Sequence, residues 1–227
     1  MKRSIRSLVS GLAVPFITFA GSFAADAADD AAATVARYQV IVERTWSDAT
    51  HPADFPLLAH FSPAIGATHD ASFALFAQGR VATSGVEKMC EEGKHQPLDA
   101  EIKAAMDTRH VGALIETNEP IRSAPGKAAT EFHIDAAHPM VSIAAMIAPS
   151  PDWCAVATNV SLVENGEFVS ERTVELFPWD AGTDSATHYR ALDADMKPRG
   201  KMAPSTSPYF ERDGAPTPVG RVRFVKM

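Results

Sequence analysis

The sequence runs to 227 residues, 46% of them apolar and 22% charged, with a formal net charge of −7. This is ordinary globular composition, and the length suffices to bury a full core without help from disulfides. The excess of acid excludes binding to nucleic acid or to anionic lipid over a broad surface.

At the N-terminus, Lys2, Arg3 and Arg6 precede an apolar stretch over residues 8–20, followed by small-x-small sites at Ser22-Phe23-Ala24 and Ala25-Asp26-Ala27. The pattern predicts a secretory signal peptide over residues 1–24, cleaved on export. The stretch is short for a membrane span of ~20 residues, and nothing after Ala27 is apolar for long enough to be one. The expected location is therefore periplasmic or secreted, with no integral membrane span after cleavage. Residues 25–36, rich in Ala and Asp, are expected to form a flexible leader. Residues 37–227 are expected to form one domain.

Residues 38–44, rich in β-branched side chains, predict the first strand of that domain. Residues 46–69 carry Pro52, Pro56, Pro63 and Gly66 and predict an ordered but irregular loop. The apolar run at residues 71–77 reads as a strand. Ser84 and Glu87 have capping-box spacing, which opens a short helix closed by Gly93. Asp99 is placed to cap a second helix through Met106. Runs at residues 111–117, 129–134, 140–147, 154–163, 172–177 and 219–225 predict further strands. Asn165-Gly166 predicts a hairpin between Val163 and Phe168, because both central positions of its turn need positive φ. Residues 197–218, rich in Pro, Gly and Ser, predict a long surface loop. Many short strands separated by turns, with no βαβ rhythm, predict an all-β sandwich or barrel with one or two short helices.

Two loops carry the candidate chemistry. Pro149-Ser150-Pro151-Asp152-Trp153 and Pro178-Trp179-Asp180-Ala181-Gly182-Thr183-Asp184 each follow a predicted strand. In a sandwich, loops at strand ends gather at the two poles, so these two can meet. Asp152, Asp180 and Asp184 would then form a carboxylate set suited to Ca²⁺, which takes six to eight oxygen ligands. A cation removes the mutual repulsion of such acids. No Cys or His lies inside either loop, which argues against a transition metal. The alternative is three turn-forming aspartates bonded to their own backbone.

Other features carry less. His51, His60 and His69 fit no zinc spacing and are expected to be structural. Trp46, Trp153 and Trp179 are expected to pack rather than to form a sugar-binding platform. Ser62, Ser84 and Ser150 lie in no nucleophile motif. Cys90 and Cys154 form either a disulfide, as an exported pair can, or two buried thiols.

The order of motifs resembles the spondin N-terminal domain family. The resemblance rests on His51-Pro52-Ala53-Asp54-Phe55-Pro56, residues 59–66, His69, Ser84-Gly85-Val86, Val141-Ser142, Met146, residues 149–153 and residues 180–184. It implies a C2-like antiparallel β-sandwich with Ca²⁺ at one pole, held by Asp152, Asp180 and Asp184. It also implies a non-catalytic exported module that binds a protein or glycan at the cell envelope. A periplasmic metal-dependent hydrolase, using Asp152, Asp180 and a loop histidine, is the alternative function.

Overall fold

The computed structural model describes Met1 and residues 34–227. The expected signal peptide, Met1 apart, and residues 25–33 of the expected leader lie outside the described residues.

The chain opens with β1 (Val35–Arg44), β2 (His60–Phe61) and β3 (Ile65–His69), then α1 (Ser84–Glu92) and α2 (Leu98–Asp107). There follow β4 (Val111–Glu116), β5 (Gly126–Asp135), β6 (Met140–Ala148), β7 (Trp153–Ser161), β8 (Val163–Glu164) and β9 (Glu167–Phe168). The last elements are β10 (Glu171–Asp180), β11 (Ala203–Pro204), β12 (Glu211–Arg212), β13 (Ala215–Pro216) and β14 (Gly220–Lys226).

Every ladder is antiparallel, and the main path runs β4-β3-β6-β7-β10-β14-β1-β5. It folds over at β10. Residues 171–176 of that strand pair with β14, whereas Phe177–Asp180 pair with β7. Pro178, with no N–H to give a ladder, sits just beyond the crossover. The end strands β4 and β5 come back into contact with each other, so the path closes into a β-sandwich, as the sequence predicts.

The period-2 alternation of the strands sorts side chains into two cores. Ile143, Ala145 and Ile147 of β6 and Trp153, Ala155 and Ala157 of β7 face the other sheet, meeting Tyr38, Val40, Val42, Val222 and Phe224. The opposite face presents Ala144, Cys154 and Val156 to Val86, Met89 and Cys90 of α1 and to Leu98 and Ile102 of α2. The helices thus form a third layer on one sheet. Cys90 and Cys154 form a disulfide with their Cα atoms 5.4 Å apart, fixing α1 to β7.

Several local expectations are corrected. β1 begins at Val35, three residues earlier than its β-branched run suggests, because Val35 and Ala36 still pair with Asp135 and Ile134. The irregular loop after Trp46 ends in two strands, with β3 buried between β4 and β6. Residues 71–77 form turns and not a strand. Asp70 accepts the N–H of Ser72 at 2.7 Å and diverts the chain, and Leu75 and Phe76 bury themselves in the helix-side core. The cap of α1 is Thr83, whose hydroxyl accepts the N–H of Val86 at 3.2 Å. Glu87 pairs instead with Arg199. Asp99 lies inside α2, bonded to Lys103 at 3.0 Å. The Asn165-Gly166 turn has the expected positive φ values of 53° and 83° and joins β8 to β9. The expected surface loop of residues 197–218 holds β11 and the β12–β13 hairpin.

Candidate metal centre at the acidic pole

One pole of the sandwich gathers the end of β6, the start of β7 and the end of β10, since β7 is paired to both neighbours there. The Pro149–Pro151 turn is closed by the Ser150 hydroxyl, which accepts the N–H of Trp153 at 3.2 Å. That turn drives Asp152 inward, and its side chain is 0% exposed. Its Oδ2 accepts the N–H groups of Thr183 at 2.8 Å and of Asp184 at 3.2 Å, so the first loop holds the second by its backbone. Its Oδ1 is buried without a hydrogen-bond donor among the described residues.

Asp180 ends β10 directly across from Trp153. Its Oδ1 accepts the N–H of Gly182 at 2.8 Å. Gly182 has φ of 72°, and a side chain there would run into the backbone of Gly200 and Lys201. Glycine is therefore what lets the loop turn back. Asp184 is 7% exposed. Its Oδ1 accepts from Ala186 at 2.6 Å and its Oδ2 from Ala194 at 3.0 Å.

The electrostatics follow from burial. Asp152 is pushed up to about 6, first by desolvation and then by the charge of Asp180, while the N–H groups of Thr183 and Asp184 pull it down and the charge of Asp184 pushes up. Asp180 is raised chiefly by burial, against bonds from Gly182 and Trp153. Glu91 of α1 is raised by burial while bonded to Thr183. Sequence reasoning missed Glu91, and its one signal is adjacency to Cys90, whose bridge to Cys154 carries it to this pole.

The predicted residues therefore reach one pole, two of them buried. Their carboxyl groups are not drawn into a finished cage, and among the described residues no three His, Cys, Asp or Glu side chains are so arranged. The donor chemistry still fits a hard cation: oxygen ligands alone, mutual repulsion, and one orphaned buried oxygen on Asp152. The histidines stand apart in structural bonds. His51 contacts Thr50 and Thr217, His60 the carbonyl of Leu58, and His69 Asp70 and Ser142. Trp46 and Trp153 are buried in the core, and Trp179 packs edge-on to Phe76.

Comparison with known proteins places these features in context. The family described as Spondin_N matches residues 36–216. Spondin-1 of Bos taurus and of Homo sapiens are each 31% identical over 232 aligned positions, covering 95% of this chain. Spondin-2 of Rattus norvegicus is 26% identical over 205 positions, covering 85% of this chain. The chain spans 28% of the length of those Spondin-1 proteins and 62% of that Spondin-2.

Proposed function

This chain belongs to the spondin N-terminal domain family, and on that premise we propose that it is a non-catalytic Ca²⁺-binding module, exported to the periplasm or beyond, that engages a protein or glycan at the cell envelope. One observation carries the cation: Asp152 is a fully buried carboxylate with an oxygen that no described residue satisfies, set among acids that repel it. A buried charge needs a partner of opposite sign. Asp152 and Asp180 would hold the ion, with Asp184 adjoining. Bound Ca²⁺ would supply positive charge that neutralises the pole and fixes its loops. Against hydrolysis, His51 and His69 are buried and already bonded on both ring nitrogens, which leaves neither as a general base beside the acids. No described helix is long and apolar enough to cross a membrane.

The test is thermal unfolding with and without the ion. For a dissociation constant of ~0.1 mM, 2 mM Ca²⁺ adds about 1.8 kcal/mol, which raises Tm by about 4–7 °C over EDTA. Asp152→Asn abolishes that rise, yet melts no lower than the parent in EDTA at pH 7, because it removes a charge that burial disfavours. A melting curve indifferent to Ca²⁺, with no calorimetric heat at millimolar concentration, refutes the cation.

A further inference from the structure

The end of β1 holds a buried cation that has no counter-ion among the described residues. Arg44 is 3% exposed. Its Nη1 donates to the carbonyl of Arg122 at 3.0 Å, and its guanidinium lies 5.3 Å from the centre of the Trp46 ring. Its Nε has no acceptor among the described residues. Of the acids in adjoining segments, Glu43 pairs with Arg221 and Asp54 with Arg190, and Asp48 accepts only the N–H of Ala49 among the described residues. A guanidinium stays protonated at any physiological pH, so burying it unpaired is costly unless an anion is supplied.

Arg44 lines an open cavity of about 520 Å³ together with Ser47, Phe55, Leu57, Leu58 and Arg122. Arg122 is exposed, and its side chain makes no ion pair among the described residues. Asp48 also reaches the wall, where its carboxylate accepts the N–H of Ala49 at 2.9 Å. Two guanidinium groups against one carboxylate leave the wall net positive, on a chain whose net charge is −7. The apolar side of the cavity is unusual too. Leu57 is 80% and Leu58 89% exposed. Leu58 has φ of 63°, a left-handed conformation that bulky residues rarely adopt. Phe55 packed on Trp46 and the His60 ring on the carbonyl of Leu58 hold the loop in that shape. Water-facing leucines fixed beside unpaired arginines match a ligand with a charged head and an aliphatic tail.

We propose that this cavity binds an amphipathic oxyanion, its phosphate or carboxylate head seated on Arg44 and Arg122 and its alkyl chain laid along Leu57 and Leu58. Phosphate and carboxylate each present a pair of oxygens that one guanidinium can engage through two parallel N–H···O bonds. Calorimetric titration of the whole chain with octyl phosphate, octanoate and inorganic phosphate tests it. Carrying out the titration in EDTA makes the outcome independent of any cation at the acidic pole. The expected result is saturable binding of octyl phosphate or octanoate, whichever head fits better, with inorganic phosphate weaker. Arg122→Ala, an exposed position, weakens it about tenfold, and Leu58→Asp weakens it as much or more, while both variants keep the parent melting temperature. No binding of either alkyl anion overturns the proposal, and so does binding that both variants leave unchanged. Inorganic phosphate binding as tightly as octyl phosphate overturns the role of the leucines.

Discussion

The smallest unit with a legible energetic role is His69. It is fully buried, with Nδ1 2.7 Å from the carbonyl of Asp70 and Nε2 2.8 Å from the hydroxyl of Ser142. The carbonyl can only accept, so Nδ1 carries the proton and the Ser142 hydroxyl donates to Nε2. The same Ser142 oxygen accepts the N–H of Asn159 at 3.0 Å. Protonating His69 would make Nε2 a donor and oblige the Ser142 hydroxyl to turn away from it, toward the Thr158 hydroxyl at 3.3 Å. Desolvation accordingly holds His69, and likewise His51, below the usual imidazole range. Each contributes stability that is fully present above its unfolded value of about 6.5 and is lost as the pH falls below it. The urea midpoint of the parent should therefore drop between pH 7.5 and 5, and less so for His69→Gln. Asp152, raised in the fold, acts in the opposite sense in that window, so the difference between parent and variant isolates His69. Residue chemistry of this kind was only half visible in the sequence. The spacing of His51, His60 and His69 argued for structural histidines, but nothing local revealed that Ser142, in a strand far along the chain, is the partner of His69. Arg44 is the stronger case, since a basic residue closing a strand gives no sign that its charge will be buried.

Among elements, what was readable is what depends on neighbours in sequence. Asn165-Gly166 announces its turn because positive φ is a local demand, and β6 announces itself through its apolar run. The apolar run at 71–77 misleads for the same reason: hydrophobicity says only that Leu75 and Phe76 are buried, and helices serve as well as strands to bury them. The capping residue shifts by one position because Thr83, itself bonded to Glu101, competes with Ser84 for the same N–H groups. The two cysteines could be paired only once α1 was seen lying across β7. Their bridge closes a sequence separation of 64 residues, which in the chain-entropy account stabilises the fold by about 4 kcal/mol. Replacing both by Ala should lower the urea-derived unfolding free energy by an amount of that order without changing the secondary structure seen by circular dichroism. Met89, 3.5 Å from the Cys154 sulfur, keeps the helix packed when the bridge is gone. A larger loss, with the helical signal gone as well, would show that α1 is held by the bridge alone.

On the scale of the whole molecule, the site depends on a pairing that no local pattern encodes. Pro149–Asp152 and Asp180–Asp184 meet because β7 lies between β6 and β10, an order of which the sequence offered only the general expectation that loops at strand ends gather at a pole. The acids themselves were identifiable, whereas the orphaned oxygen of Asp152 and the approach of Glu91 arise only from the folded arrangement. The strand that ends in Asp180 has a mechanical meaning as well. β10 gives its first six residues to one sheet and its last four to the other, so it acts as a spine common to both halves. Neither half can peel away while the other stays intact, and hydrogen exchange should find Val174 and Phe177 opening together, in the slowest class and at one shared free energy. Two separable classes on either side of Pro178 would mean that the spine flexes as a hinge. Force applied at the loop after Asp180 passes through this one strand into both halves at once.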